Sequence, residues 1–382
     1  MDISTICVHG CDKKYDITGA VSVPIFASST FAHPGVGQST GFDYSRSQNP
    51  TKEHLEHTIT ALEGGTDTVA FSSGMAAVSA LMELFSPGDH IIASYDLYGG
   101  TFRLFSHISE KNGIAFSYAK TLEDISAMIT QKTKAVLIET PTNPMMNVVD
   151  IEAAAKITQK KNLFLIVDNT FLTPVFQRPL SLGANIVLHS GTKYLGGHND
   201  ALAGMLTVKD SAAPCDYILS ERLRFIAKTT GGCLSPFDSF LIIRGIKTLA
   251  LRMDRHNKTA LAVAQWLLTQ NKIKKVYYNG LKDHPGYAVS CRQASGFGGM
   301  IAFTVDTEKT AKSILENVKL IKYAESLGGT ESLITYPLLQ THADLPQQER
   351  EARGINGCLL RLSAGLEDEN DIIGDLKQAI ER

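Results

Sequence analysis

Between residues 66 and 208 the chain alternates short, largely apolar runs with stretches that have a helical pattern. The runs are continuous rather than alternating, which is typical of strands covered on both faces. This arrangement predicts an α/β fold in which a mostly parallel central sheet carries helices on both faces. The predicted strands are Thr68–Phe71, His90–Ala93, Ala135–Ile138, Leu163–Val167 and Ile186–Leu188, and the predicted helices between them are Ala76–Phe85, Thr101–Lys111 and Ile151–Lys160.

The rest of the chain predicts two further parts. With 382 residues, 43% of them hydrophobic, the chain is long enough for two domains. Residues 1–50 look extended, and we expect an arm that reaches a neighbouring subunit. Residues 51–240 would form the large domain. Residues 241–382 would form a smaller C-terminal α/β domain, with helical character over 241–270, a strand over Gly299–Val305 and an amphipathic helix over Asp371–Ile380.

The composition argues against several classes of protein. The 37 basic and 39 acidic residues are mixed along the chain and give a net charge of −2, so we expect no nucleic-acid or membrane partner. No apolar run approaches the ~20 residues that a membrane-spanning helix needs. The six cysteines are scattered, and the spacing of Cys7 and Cys11 does not match a Cys-x-x-Cys metal site, so we predict no metal. A cytoplasmic enzyme is the expected class.

A lysine between hydroxyl residues follows the last predicted strand, in the segment His189-Ser190-Gly191-Thr192-Lys193-Tyr194. Lys193 could form a Schiff base with an aldehyde cofactor, and Ser190 and Thr192 could bind that cofactor's phosphate. Read alone, the segment fits an ordinary surface lysine better.

Other polar residues also follow predicted strands, where α/β proteins bind ligands. Asp168 follows Val167, and Ser73-Gly74-Met75 opens a helix whose free N–H groups could bind a phosphate. Asp168 could keep a pyridine nitrogen protonated, and Tyr98 could cover the ring and supply a proton. Alternatively, Asp168 is a turn residue and Tyr98 a loop anchor. Together these residues predict a site for pyridoxal 5'-phosphate (PLP).

A series of motifs along the whole chain resembles the cystathionine γ-synthase/γ-lyase family, the Cys/Met-metabolism group of fold-type I PLP-dependent transferases. The motifs are Tyr44-Ser45-Arg46-Ser47, Ser72-Ser73-Gly74-Met75-Ala76, Leu97-Tyr98-Gly99-Gly100-Thr101, Glu139-Thr140-Pro141-Thr142-Asn143-Pro144, Val167-Asp168-Asn169-Thr170, the Lys193 segment, Glu325-Ser326-Leu327-Gly328-Gly329 and Leu360-Arg361-Leu362-Ser363.

The resemblance implies a role for each matching residue. Lys193 would be the Schiff-base lysine and the general base, and Tyr98 would stack on the ring and donate a proton. The other implied cofactor-binding residues are Asp168, Thr170, Gly74, Met75, Ser190 and Thr192, joined by Tyr44 and Arg46 from a second subunit. Arg361 would bind the substrate α-carboxylate, helped by Ser326 and Asn143. The resemblance therefore also implies a homotetramer built from two catalytic dimers.

Other positions bear on the substrate. A carboxylate at Glu325 could pair with the distal ammonium of cystathionine, and Gly100 stands where methionine γ-lyases have a cysteine. Both disfavour methionine. Arg103 could bind a distal carboxylate or be a solvated helix residue.

The choice between lyase and synthase rests on fewer residues. Ser47 resembles γ-lyases, since some γ-synthases have a second arginine there, whereas Thr335-Tyr336-Pro337 and Gln340-Thr341-His342 resemble synthases. We predict a cystathionine γ-lyase with some β-elimination. The alternatives are a cystathionine γ-synthase or O-acyl-homoserine (thiol)-lyase and, more remotely, a methionine γ-lyase, an aminotransferase or a non-catalytic PLP-binding regulator.

Overall fold

The computed structural model of the protein describes residues 1–10, 18–341, 343 and 346–382, so Cys11 and His342 lie outside the described residues. The strands of its larger sheet are β1 (Asp67–Phe71), β2 (His90–Ser94), β3 (Ala115–Ala119), β4 (Thr133–Glu139), β5 (Phe164–Asp168), β6 (Ile186–Ser190) and β7 (Gly204–Val208). Their order across the sheet is β1-β7-β6-β5-β4-β2-β3. The strands from β3 to β6 in this order run parallel, whereas β7 is antiparallel to β6 and β1. The prediction of a mostly parallel central sheet is confirmed.

Each central strand sends apolar side chains to two separate cores. On β2, Ile91 packs in one core and Ile92 in the other, and on β5 Ile166 and Leu165 divide in the same way. Because neighbouring side chains of a strand point to opposite faces, both faces of this sheet are covered. This explains why the strands are continuously apolar in the sequence.

The helices are, in chain order, α1 (Ile3–His9), α2 (Pro50–Glu63), α3 (Gly74–Met82), α4 (Gly99–Leu104), α5 (Leu122–Met128), α6 (Ile151–Lys160), α7 (Thr173–Phe176), α8 (Leu219–Thr230), α9 (Pro236–Ile246), α10 (Leu249–Leu267), α11 (Tyr287–Gln293), α12 (Glu308–Asn317), α13 (Gln347–Ala352) and α14 (Glu369–Glu381). A π-helical turn, Phe105–Ser109, continues α4. Within the described ranges, no helix is both long and apolar enough to cross a bilayer.

A second sheet lies in the C-terminal part of the chain. Its strands are β8 (Ile273–Tyr277), β9 (Met300–Val305), β10 (Lys322–Tyr323), β11 (Leu333–Thr335) and β12 (Leu359–Ser363). They are arranged in the order β10-β11-β12-β9-β8, and their core includes residues of α10, α12 and α14. The expected smaller α/β part is therefore present.

The predicted elements correspond closely to the observed ones, with several differences. The predicted strands and helices are found. Among the elements that the sequence analysis did not locate are β3, β7, α1, α2, α5, α8 and most strands of the second sheet. The helical stretch predicted over 241–270 is two helices, α9 and α10, separated at Lys247–Thr248. Position 240 lies within α9, and the three-part division of the chain stays a prediction.

The N-terminal segment, residues 18–49, contacts the start of helix α2. Thr51 of α2 accepts a hydrogen bond from the N–H of Phe26 at 2.9 Å and donates one to the carbonyl of Pro24 at 2.8 Å. Within residues 18–49, the β pairing consists of an isolated bridge between Thr30 and Tyr44. Contact of this segment with a neighbouring subunit stays a prediction.

Gly204 lets the start of α3 lie directly against β7. A Cβ atom at this position would lie 2.1 Å from the carbonyl oxygen of Ser73 and 2.8 Å from the nitrogen of Gly74. Both are backbone atoms, so the contact cannot be relieved by turning a side chain.

We therefore predict that Gly204→Ala destabilises the fold by about 1–3 kcal/mol, the usual cost of overpacking. The measurement is the free energy of unfolding in urea. Gly374→Ala is the matched control, because Gly374 lies in α14 and a Cβ there meets nothing within 4 Å. That change should stabilise the helix by about 0.5–1 kcal/mol. Equal effects of the two substitutions would contradict the prediction.

Candidate active site

The predicted site residues meet in one cleft at the carboxyl ends of the parallel strands. The predicted residues that line it are Gly74, Met75, Tyr98, Asn143, Asp168, Thr170, Ser190, Thr192, Lys193, Glu325, Ser326 and Arg361. They come from both halves of the chain: β4, β5 and β6 end at the cleft, while Ser326 and Arg361 belong to the region of the second sheet.

Three predicted residues lie elsewhere. Arg103 is exposed on α4, and the described lining of the cleft does not include it. Tyr44 and Arg46 lie in the N-terminal segment, outside the cleft of their own chain; the Arg46 guanidinium lies over the Tyr44 ring and donates to the carbonyl of Lys228. This placement leaves their predicted role toward a second subunit untested.

Lys193 occupies the middle of the cleft. Its Nζ donates to Oγ of Ser326 at 2.8 Å. Burial, reinforced by the positive charge of Arg361, lowers the pKa of the Lys193 amine to about 8, and the carboxylate of Glu325 acts in the opposite direction. A substantial fraction of the amine is therefore neutral near physiological pH, as a nucleophile or a base requires.

Asp168 ends β5 and is held by the residue two positions further on. Its Oδ1 accepts from the backbone N–H of Thr170 at 3.0 Å and from the Thr170 hydroxyl at 2.6 Å. The same hydroxyl oxygen accepts from the N–H of Ser190 on β6 at 2.9 Å. Burial raises the pKa of Asp168, and the Thr170 bonds and the charge of His189 oppose that rise. The carboxylate is thus fixed in position between two strand ends.

Glu139, which ends β4, organises the cleft wall, a role the sequence analysis did not assign. Its carboxylate accepts from the backbone N–H groups of Tyr98 and Asn143, each at 2.8 Å. Burial, together with the neighbouring charge of Asp168, raises the pKa of Glu139 well above its usual range. Its position directly after a buried strand, which it shares with Asp168, was the available signal.

The start of α3 can bind an anion. The N–H groups in the first turn of a helix have no partner within the helix, and the helix dipole favours negative charge there. Ser73 caps the helix by accepting from the N–H of Ala76 at 3.1 Å. A Cβ on Gly74 would lie 3.1 Å from Cβ of Ser190, so glycine allows the close approach of helix and strand end. Gly74, Met75 and Ser190 therefore form a cradle that fits a phosphate.

Thr192 already has partners in this structure. Its hydroxyl accepts from the N–H of Ala203 at 3.1 Å and lies 3.3 Å from the carbonyl of the same residue. The Thr192 side chain lines the cleft, so its predicted contact with a phosphate stays a prediction.

Tyr98 forms one wall of the cleft, and its ring packs against Gly100. A Cβ on Gly100 would lie 2.5 Å from Cε1 of Tyr98 and 3.2 Å from the sulfur of Met75. The ring is 40% exposed, so its face and hydroxyl are accessible to a bound molecule.

Arg361 is buried below the cleft, with 1% of its surface exposed. Its Nη1 donates to Oδ1 of Asn143 at 2.9 Å, and Nη2 donates to the carbonyl of Ser326 at 2.9 Å and to Oγ1 of Thr335 at 3.0 Å. Nε has no partner among the described residues. Burial lowers its pKa to about 10, so it remains charged at neutral pH and can bind a carboxylate. No sequence signal identified Thr335 as a partner of Arg361.

These residues fit PLP. A lysine with a lowered pKa, a fixed carboxylate, an aromatic wall and a phosphate cradle are the groups that this cofactor requires of a protein. Arg361, with its unpartnered Nε, adds a site for the carboxylate of an amino acid.

Comparisons with known proteins agree with this chemistry. Residues 4–381 match the family described as "Cys/Met metabolism PLP-dependent enzyme". The chain is 46% identical to a cystathionine beta-lyase of Lactococcus lactis subsp. cremoris, covering 100% of this chain and 99% of that protein. It is 48% identical to a cystathionine gamma-synthase of Haemophilus influenzae, over 99% and 97% of the two chains. A solved cystathionine gamma-lyase from Lactobacillus plantarum, complexed with L-serine, superposes with a TM-score of 0.96 at 41% identity, covering 100% and 99% of the chains.

The similarity extends over the whole chain, and the family is described as PLP-dependent. The relatives are named for three different reactions: a cystathionine beta-lyase, a gamma-synthase and a gamma-lyase. The chain belongs to the Cys/Met-metabolism family of PLP-dependent enzymes, with PLP as its cofactor and carbon–sulfur lyase or replacement chemistry as its activity.

Proposed function

We propose that this enzyme is a cystathionine γ-lyase, which cleaves L-cystathionine to L-cysteine, 2-oxobutanoate and ammonia, with some β-elimination alongside. The observation that carries cystathionine as the substrate is the position of Glu325, while the preference for a lyase over a synthase rests on Ser47. The Glu325 side chain lines the cleft that contains Lys193 and also an adjoining outer cavity. Asp200, Asp238 and Glu331 line the same outer cavity, with Lys322 as the basic residue of its described lining.

This charge distribution favours a substrate with a cationic distal end. The distal half of cystathionine is zwitterionic, and Glu325 is a suitable partner for its ammonium group. The succinyl end of O-succinyl-homoserine carries a carboxylate without an ammonium group beside it, and acidic groups repel it. In the described lining of the inner cleft the cations are Lys193 and Arg361, and both have other assigned roles. The exposed position of Arg103 on α4 also weakens its candidacy as a partner for a succinyl group.

The chain's own residues can perform the remaining steps. Arg361 would bind the α-carboxylate, with Asn143 and Ser326 holding the guanidinium in place. Lys193, once released from the cofactor, would remove the proton from Cα and then move a proton at Cβ. Tyr98 would supply a proton to the departing sulfur at Cγ. Bound PLP supplies the electron sink for the negative charge that develops on the substrate carbon atoms.

A γ-replacement activity remains the second candidate, because the Haemophilus influenzae relative is named for it. Replacement and elimination share their first steps, which leave a four-carbon fragment of the substrate. In replacement a thiol adds to this fragment, whereas in elimination the fragment is released and hydrolysed by water. The cleft geometry therefore supports both reactions, and the proposal of a lyase depends on Ser47 and on the acidic lining of the outer cavity, which is unsuited to a succinyl carboxylate.

Product analysis tests the proposal directly. Purified, PLP-loaded enzyme given L-cystathionine alone should release L-cysteine and 2-oxobutanoate faster than homocysteine and pyruvate. O-acetyl- or O-succinyl-homoserine with L-cysteine should give little cystathionine. Efficient condensation with slow cleavage would identify a γ-synthase, and dominant pyruvate a β-lyase. Lys193→Ala is the control and should have no turnover.

Substitution of Glu325 tests the distal contact. Glu325→Gln should raise the KM for L-cystathionine roughly tenfold or more, since a hydrogen bond to a charged group contributes about 1.5–3 kcal/mol. L-Homoserine lacks the distal ammonium and is the matched control substrate, so its kcat/KM should change little. A similar loss on both substrates would remove this role from Glu325.

The charges around Lys193 make a prediction about pH. Because the neutral amine reacts with the aldehyde, the rate at which apoenzyme captures PLP should rise with pH through the lysine pKa of about 8. Glu325→Gln removes a negative charge and should move this midpoint to lower pH, whereas Arg361→Met removes a positive charge and should move it to higher pH. Stopped-flow absorbance of the bound cofactor gives the midpoint. Glu325 is exposed, so Glu325→Gln should leave the fold intact. If the pH midpoint of PLP capture is unchanged in this variant, the prediction is wrong.

A further inference from the structure

A buried acid–histidine pair lies behind Asp168. Nε2 of His189, on β6, is 2.6 Å from Oε1 of Glu63, the last residue of α2, and both side chains are 0% exposed. His189 stands between Leu188 and Ser190, which line the cleft. Since consecutive side chains of a strand point to opposite faces, His189 lies on the face of β6 away from the cleft.

The pair is connected to the strand that carries Asp168. Oε1 of Glu63 also accepts from Nδ2 of Asn169 at 3.1 Å, and Asn169 directly follows Asp168. On the cleft side, Thr170 bonds both to Asp168 and to the N–H of Ser190. The ends of β5 and β6 are therefore held together on both faces of the sheet, with Asp168 between the two sets of bonds.

Stability alone does not account for this pair. Oε2 of Glu63 and Nδ1 of His189 are buried and have no hydrogen-bond partner among the described residues. A buried acid–histidine pair, like other buried polar pairs, is commonly no more stabilising than well-packed apolar residues, and unsatisfied buried atoms add a further cost. An interaction retained at such a cost points to a role in positioning or in electrostatics.

The electrostatic effect is directed at Asp168. Burial raises the pKa of this carboxyl group, which disfavours the ionised form that a protonated ring nitrogen needs. A protonated His189 acts against that rise. The same histidine is thus linked to Asp168 by backbone geometry and by charge.

We propose that Glu63 and His189 are positioning residues that act through Asp168, holding its carboxylate in place and in its ionised form for the ring nitrogen of PLP. The inference rests on the proposed role of Asp168. Neither residue of the pair lines the described cleft, so any effect on the cofactor must be transmitted through the strand ends.

The test is a double-mutant cycle between Glu63 and Asp168, read out by PLP affinity and by the visible absorption of the bound cofactor. Glu63→Gln keeps an acceptor for His189 and Asn169 but removes the charge. It should weaken PLP binding about tenfold, as loss of a residue that supports a direct ligand commonly does, and should shift the absorption band. Asp168→Asn should weaken binding further. In the Asp168→Asn background, Glu63→Gln should have no additional effect.

His90→Gln is the matched control. His90 is a buried histidine of the same sheet, but it begins β2, at the end of the strand away from the cleft, and bonds to Thr133 and Ser117. It should lower the melting temperature without changing the absorption band.

The possible outcomes distinguish failure of this inference from failure of the proposed role of Asp168. If Glu63→Gln lowers only the melting temperature, or if its effect on PLP binding is additive with Asp168→Asn, the pair does not act through Asp168 and the inference is overturned. If Asp168→Asn itself binds PLP with the affinity and spectrum of the unmodified protein, the assignment of Asp168 fails, and the inference fails with it.

Discussion

The contact between Lys193 and Ser326 joins the two sheets at the cleft. Ser326 has a φ of +88°, a left-handed conformation that costs a residue other than glycine about 1–3 kcal/mol. Its neighbours hold it there: its carbonyl accepts from Arg361, and its hydroxyl accepts from Lys193. One strained residue therefore sets the distance between Lys193, the proposed reactive lysine, and Arg361, the proposed carboxylate-binding arginine.

Burial of the ionisable side chains away from water shifts the pKa values of this site. Burial lowers the pKa of the Lys193 amine and raises those of Asp168 and Glu139. The two carboxyl groups have different partners: the backbone N–H groups of Tyr98 and Asn143 hold Glu139, while the N–H and hydroxyl of Thr170 hold Asp168. Similar side chains at adjacent strand ends thus have different surroundings: Glu139 supports the cleft wall, and Asp168 is the proposed partner of the ring nitrogen of PLP.

The sequence alone could indicate those candidate site residues whose position follows from a neighbouring strand. Asp168 follows a strand and Lys193 a short turn after one, and the carboxyl ends of parallel strands necessarily converge. The contact of Lys193 with Ser326, at a separation of 133 residues, was not predicted; the family resemblance gave Ser326 only as a helper of Arg361. The strand β7 was missed because Thr207 interrupts its apolar run; in the fold that hydroxyl is satisfied by Thr68 at 2.9 Å. β3 is an edge strand and only partly buried, so its pattern is weak.

The space beside the Tyr98 ring limits how this protein could evolve. Gly100 stands where methionine γ-lyases have a cysteine, and any side chain there would begin 2.5 Å from the ring carbon Cε1. A single mutation at position 100 would therefore displace the aromatic wall before it could confer a new specificity. A change of substrate by this route is coupled to a new position of the Tyr98 ring, so specificity at position 100 and the placement of the aromatic wall change together.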